Sequence, residues 1–505
     1  VYIDGIKVRG SSALPKSAIE QVQFINGGIP SNIGDVTGGV INMSLRNSSS
    51  KWFGGAEVIT SGVPVGETAY GLDRFGYNLF EGSLSGPILF EKDEEGNNVR
   101  PLLGLFLSGN YTYQKDPRPA FDGTYRMTDE AREAILANPL RQNISSSGDI
   151  NGALFNADFL TDTAFTKVPT RMNVSSQSAN LVAKIDVNTN ETTSLTFGAT
   201  GAYNRNNSFS YANMLSNWEN NLDVLSFDWR GYVKFAQRFN NEDDSEAAGS
   251  TLKNVYYQVM ADYTQTYQRV QDASHGDNFF RYGHVGTFNV YNLRSYDYNP
   301  ASQRFIHNGW EDTLVTFAPS VHNPELAASN QQYFSLFDYE PYNPAVDGPY
   351  ESLLEVQNGN ALLNGQSPAA TYGLWSYYGT QGNSYSISNN SQFRISASGS
   401  GDLGDHAIQV GFEYEQRSDA FFSASPVGLW TLARLTANSH IKEIDASDST
   451  LTNIGTDYYV TYDRLIGDNQ FEFDRNLREA LGLDPDGNDF ITVDALDPDF
   501  LSLDL

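Results

Sequence analysis

The sequence predicts an all-β protein: a transmembrane antiparallel β-barrel, with a small α+β module at the start of the chain plugging its lumen. Three observations predict it. Apolar and polar residues alternate with period two over long segments, the mark of strands with two different faces. The connections between those segments are by turns short and long. Only 40% of residues are hydrophobic, yet 13% are aromatic, with 29 Tyr and 30 Phe. A large soluble core needs more aliphatic residues than this. A barrel with a wet interior and aromatic girdles does not.

The first element is residues 1–46. Two short apolar strands flank the Gly27-Gly28 and Gly38-Gly39 corners, and a third begins after the second corner. Glycine admits backbone angles that a Cβ disfavours, which suits tight corners between short strands. Residues 48–50 read as a linker. Strands then follow at 52–60, 78–88 and 102–114, and next at 178–187, 195–204, 227–235, 255–264, 392–398 and 408–417. In the last, Ile408, Val410, Phe412 and Tyr414 oppose Gln409, Glu413, Glu415 and Arg417. Phe106 breaks the pattern in its strand by standing on the polar side. About nine strands are expected, several exceeding the ten or so residues that cross a bilayer at a tilt.

Connections after the second, fourth, sixth and eighth strands are short (90–100, 188–192, 240–251, 399–405). Those after the third, seventh and ninth are long (119–169, 275–384, 425–505). Short turns on one side and long loops on the other are what outer-membrane barrels show. A soluble β-sandwich also alternates, but has no reason to segregate its loop lengths. Within the long loops, residues 128–138 read as a helix capped by Thr128, and 473–481 as a second capped by Asp474.

The formal charge of −29, from 61 acidic and 32 basic residues, argues against nucleic acid, whose phosphates need a basic footprint. Cysteine is absent and the six histidines have no ligand spacing. No cofactor and no catalytic or metal site is expected. There is no nucleophile elbow, no His-Glu-x-x-His and no phosphate loop. The acidic stretch 484–489 departs from the EF-hand pattern, with glycine fourth and Ala495 twelfth, and reads as a turn. Asp228, Arg230, Lys234, Arg394, Glu413, Glu415 and Arg417 fall on polar strand faces and are expected to line the lumen. No apolar run is long enough for a membrane helix, which leaves a barrel open.

The opening stretch also carries a resemblance. Val1-Tyr-Ile-Asp-Gly5, Ile19-Glu20-x-Val22, Gly27-Gly28-Ile29-Pro30 and the run from Gly34-Asp35 through Gly38-Gly39 to Asn42 resemble the plug of TonB-dependent receptors of bacterial outer membranes. The similarity is greatest to the Bacteroidetes SusC-like and Oar-like branch. It implies that residues 1–50 are the second half of a plug and 51–505 the first part of a barrel of about 22 strands. The chain would then cover under half of a receptor. Asp4, Gly5, Gly27, Gly28, Gly34, Asp35, Gly38, Gly39 and Asn42 would be structural plug residues. The resemblance further implies outer-membrane lipid around the barrel, extracellular loops and a plug facing the periplasm. Its partners would be the inner-membrane TonB energy complex and a surface lipoprotein lid of the SusD type or other outer-membrane proteins.

The function so implied is non-enzymatic import of a nutrient: a glycan, a peptide or another large ligand. The alternative is a plugged barrel serving as a structural subunit of a secretion, adhesion or motility complex, since long loops offer surface to protein partners. A soluble glycan hydrolase would need a carboxylate pair in a cleft, and no motif supplies one.

Overall fold

The computed structural model describes residues 1–27, 38–66, 68–71, 73–148, 150–190, 192–239, 252–336 and 352–505. Strands β1 (Tyr2–Ile3), β2 (Ile6–Lys7), β3 (Ile19–Ile25) and β4 (Val40–Leu45) form a small mixed sheet in the order β2-β1-β4-β3. The β1–β4 pair is parallel and the others antiparallel. Its tightest corner is Asp4-Gly5, where both residues are left-handed (φ 51° and 84°). Asp tolerates that region better than most residues because its short side chain can bond locally. Here the Asp4 carboxylate accepts the Leu45 N–H at 2.8 Å. The expected glycine corners differ. Gly27 and Gly39 are not left-handed. Only Gly39 is crowded, a Cβ there lying 3.1 Å from the Ile25 carbonyl. Gly28, Gly34 and Asp35 lie outside the described residues.

Strand β5 (Phe53–Thr60) opens the large sheet, and a hairpin of β6 (Gly62–Val65) and β7 (Thr68–Gly71) follows. Then come β8 (Asn78–Lys92) and β9 (Asn98–Gln114). The next connection holds β10 (Thr124–Met127), helix α1 (Asp129–Ala137), β11 (Leu140–Ile144), β12 (Ile150–Phe155) and β13 (Phe165–Val168). Four long strands follow: β14 (Ser176–Asn188), β15 (Thr193–Asn207), β16 (Asp223–Phe239) and β17 (Leu252–Gln271). Residues 272–384 contain β18 (Gly286–Asn299), β19 (Arg304–Pro319), α2 (Pro324–Leu336) and α3 (Leu353–Asn358). Strands β20 (Tyr385–Leu403) and β21 (His406–Ala424) come next. The chain closes with α4 (Leu429–Thr436), β22 (Ile444–Ile454), β23 (Asp457–Arg464) and α5 (Glu472–Leu481).

Nine of these strands, β5, β8, β9, β14, β15, β16, β17, β20 and β21, pair in sequence order as one antiparallel sheet. The protein is mostly β, as its alternation predicts. Connections at one end are 93–97, 189–192, 240–251 and 404–405; at the other they include 115–175 and 272–384. One face of the sheet is apolar and open: Leu181, Phe197, Phe227, Val233, Val259, Val410 and Phe412 are all exposed. The opposite face is polar and lies against the small sheet. Phe106, the exception in the sequence pattern, is fully buried there with Ile3, Ala18, Leu45 and Val182.

The long connections fold into a layer with its own cores, which the sequence pattern did not reveal. Strands β18, β19, β23 and β22 make a four-stranded sheet. The parallel β19–β23 contact, Phe305 beside Tyr459, ties residues 272–384 to 425–505. One core gathers Ile135, Phe155, Phe288, Val315, Tyr333 and Val356. Another gathers Phe280, Trp430, Leu477, Ile491 and Val493. Thr128 caps α1 as expected, its hydroxyl accepting the Ala131 N–H at 3.2 Å. Asp474 is not a cap. It lies inside α5, buried, where it accepts the Asn438 N–H at 2.8 Å and the Arg478 guanidinium at 2.9 Å. Burial alone would push its carboxyl up, but those bonds and one from Gln470 hold it below the usual range.

Trp430 is fully buried in the second core, and its indole N–H donates to the Phe280 and Tyr282 carbonyls. Trp430→Ala should cost this layer about 3–5 kcal/mol through the cavity it leaves. Limited proteolysis should then cut within residues 425–505 at protease doses that leave the native layer intact.

Candidate functional site

The site is the contact between the small sheet and the polar face of the large one. Antiparallel register sets residues of neighbouring strands side by side, so the polar face can be read in transverse rows. One row runs Ser85, Phe106, Lys184, Gly198, Tyr232, Asp262, Arg394, Glu415. The next contains Ser108, Val182, Thr200, Arg230, Thr264, Gln392 and Arg417, and a third Glu81, Asn110, Asn180, Asp228, Thr266 and Asp419. Residues 4–17 and 45–49 lie across these rows.

The centre of the contact is the Asp4-Gly5 corner. One Asp4 carboxylate oxygen receives the Tyr232 hydroxyl at 2.7 Å and the Lys184 ammonium at 3.1 Å. The Lys184 side chain is 2% exposed and that of Asp4 7%. Lys184 also donates to Asn47 at 2.8 Å. Beside this pair, Arg394 donates to the Gly5 carbonyl at 2.9 Å and to Asp262 at 2.9 Å, with Glu413 at 3.4 Å. Arg230 reaches the Arg9 carbonyl at 3.3 Å and Thr264 at 3.2 Å. At the flanks, Asp228 accepts the Ser11 N–H at 3.2 Å and Glu81 the Ser17 N–H at 2.6 Å. Asp186 accepts the Ser48 N–H at 2.8 Å. Wall side chains thus satisfy backbone groups of a segment with little regular structure, as buried polar groups require.

A cavity of about 660 Å³ lies beside this contact, between Tyr2, Gly5, Val40 and Asn42 of the small sheet and Gln258, Arg394, Ser396 and Glu413 of the wall. Its lining mixes amides, hydroxyls and the Arg394–Glu413 pair with the apolar Val40, Met260, Ala397, Val410 and Phe412.

Of the residues singled out from sequence, Asp4, Gly5, Asp228, Arg230, Arg394 and Glu413 come together at this contact. Asn42 lines the cavity. An added Cβ at Gly27 or Gly38 meets nothing within 4 Å among the described residues. Lys234 stands on the same face without a hydrogen bond or ion pair among the described residues. Glu415 and Arg417 pair with each other on the outermost strand. Sequence reasoning did not single out Lys184, Tyr232 or Asp262 for the site. Their strand parity placed all three on the polar side, but only the cross-strand register shows that they share a row with Arg394.

Gly198 has a role of its own in that row. A Cβ there would lie 2.2 Å from the Tyr232 ring. The missing side chain is the space through which the phenol reaches Asp4. Gly198→Val should displace Tyr232 and cost about 1–3 kcal/mol of overpacking. In the intact protein this should lower the temperature at which the folded band on an SDS gel converts to the unfolded one.

No family model and no curated protein matches the sequence. Solved structures do match by shape. The ferric-catecholate import receptor Fiu of E. coli K12, open form, aligns over 92% of this chain and 57% of its own, at 11% identity and a TM-score of 0.32. A mutant ferric enterobactin receptor of Pseudomonas aeruginosa aligns over 83% of this chain and 50% of its own, at 12% identity and a TM-score of 0.27. The outer membrane transporter YddB of Escherichia coli aligns over 83% and 49%, at 8% identity and a TM-score of 0.27. The chain spans about half the length of each.

Proposed function

We propose that the chain is the second half of a plug (residues 1–50) followed by the first nine strands of a barrel with long extracellular loops (51–505). The whole would be a non-enzymatic TonB-dependent importer in a bacterial outer membrane, of the SusC-like branch. The observation that carries this reading is the two-faced sheet. Its open face presents Phe197, Phe227, Val233, Val259, Val410 and Phe412, each 40% or more exposed. A sheet-wide apolar face of this kind is a liability in water and the normal surface of a barrel in lipid. The other face is polar and is covered by the small sheet, as a plugged lumen wall would be. In this reading Asp228, Arg230, Lys234, Arg394, Glu413, Glu415 and Arg417 line the lumen. The plug blocks it at rest, and the inner-membrane energy complex displaces the plug to admit a glycan, peptide or other large ligand.

The test is uptake in cells carrying the complete gene. Deleting the gene and deleting the energy complex should abolish uptake of the same nutrient. Uptake that persists without the complex contradicts the reading.

A second reading, a structural subunit of a larger outer-membrane assembly, is favoured by the loop layer. Its hydrophobic cores make it a folded surface suited to a protein partner or a lipoprotein lid. A stable co-purifying partner in a strain whose uptake is unaffected by deletion would support it.

A further inference from the structure

The loop layer holds four of the chain's six histidines in buried positions: His275, His284, His307 and His440. Two of them sit where residues 272–384 meet 425–505. The His284 ring stacks on Trp430 of α4, centroids 5.5 Å apart and planes 18° apart. Its Nδ1 is 2.8 Å from the Ser320 hydroxyl, while its buried Nε2 has no hydrogen-bond partner among the described residues. Trp430 in turn holds the backbone on either side of Arg281 through its indole N–H. His275 is the second ring. Its Nε2 lies 2.7 Å from Asn323 Oδ1, which also accepts the Gln381 amide at 2.7 Å, so His275 is the donor. The Asn323 amide then donates to the Arg281 and His284 carbonyls, at 2.7 and 2.9 Å. The two histidines and Asn323 make one knot beneath Trp430.

We propose that His284 and His275 make this junction an acid-released clasp between the two longest loop segments. Both rings are packed as neutral groups. The unpartnered Nε2 of His284 is buried, so a second proton there has no hydrogen-bond acceptor among the described residues. A charged His275 loses nothing as a donor, but it becomes a buried cation beside Arg281 and His322.

The charges facing the knot come from every element around it. From its own segment these are Asp272, Asp277, Arg281 and His322. From the chain's last residues they are Asp497 and Asp499, and from α4 and the turn at 494 the Arg434–Asp494 pair, 2.8 Å apart. Asp272 accepts the Ser274 and His275 N–H groups and sits beside the Tyr282 hydroxyl. Asp499 is held by Arg281 at 2.5 and 2.7 Å. These carboxylates favour a charged ring, yet they are already engaged, and burial outweighs them. Burial first, and His322 next, lower His284 from 6.5 to about 4. Burial lowers His275 as well. The folded groups lie below their free values, so the opened form binds the extra protons. Closing is complete above pH 6.5 and weakens as pH falls toward 4, by up to about tenfold per pH unit for each ring.

The absence of cysteine allows a direct test. Spin labels on the complete protein, at Val321→Cys and Leu435→Cys, report the distance between the segments from exposed positions. One short, narrow distance is expected at pH 7.5, and a reversible longer population at pH 5 and below. In His284→Phe/His275→Gln the pH 7.5 distance should persist at pH 5. His322→Gln, on a partly exposed ring, keeps both buried histidines and removes a charge that disfavours their protonation in the closed form, so the opening midpoint should move to lower pH. An unchanged distance at both pH values overturns the clasp. So does an acid opening that survives the double variant, or a midpoint that stays or rises in His322→Gln.

Discussion

Replacing Asp4 with alanine is expected to unseat the small sheet from the large one and to leave the proposed plugged barrel leaky. The variant leaves Lys184, 2% exposed, with only neutral acceptors, and it leaves Tyr232 without its acceptor. Removing one partner of a buried pair costs about 3–5 kcal/mol, because the other charge stays buried and uncompensated. Lys184→Met should cost a similar amount from the other side. Asp4→Asn/Lys184→Met should recover much of the loss, since no buried charge is left unpaired and asparagine keeps the left-handed corner and an acceptor for Tyr232. The measurement is sensitivity of cells to a bulky hydrophilic antibiotic, read beside surface expression. High sensitivity in each single variant and recovery in the double one are expected. Equal sensitivity in all three contradicts a bolt at this corner.

Arg394→Met should produce the second large effect. Its guanidinium is 1% exposed and pairs with Oδ2 of the fully buried Asp262, with the Gly5 carbonyl and with Glu413. Without it Asp262 retains only the nearby charge of Arg230, and about 3–5 kcal/mol should be lost. The expected result is low yield of folded protein. Arg394→Met/Asp262→Leu should restore folding and still lack the Gly5 anchor. Folding restored together with a full seal would assign the anchor no role.

The two variants also separate what alternation reveals from what register adds. The large sheet was legible because strands such as β16 carry a different chemistry on each side: Phe227, Trp229, Val233 and Phe235 against Asp228, Arg230, Tyr232 and Lys234. Phe106 broke that rule because the small sheet supplies a local apolar patch, Ile3 and Leu45, on an otherwise polar face. The centre of the site was only half legible. Asp4 and Gly5 were readable as a corner, but their partners come from strands far apart in sequence, and one-dimensional parity cannot say which polar residues share a row. The loop layer was least legible. Its cores join residues as distant as Phe155 and Tyr377, or Phe280 and Val493, with no periodic pattern to announce them. Asp474 illustrates the same limit: near a helix start it reads as a cap, whereas its partner, the Asn438 N–H, comes from the segment after α4.

In the proposed barrel the two faces of the large sheet meet different surroundings, lipid on one side and a polar plugged interior on the other. Single cysteines in the complete protein in native membranes test it most directly, since the sequence contains none of its own. A fluorophore at Phe197→Cys, Val233→Cys or Val259→Cys should be quenched by an agent dissolved in the acyl chains. The same fluorophore one residue away, at Thr196→Cys, Lys234→Cys or Met260→Cys, should not be. Alternating quenching along the strands is the predicted result. Quenching from water alone at both sets of positions would contradict the account.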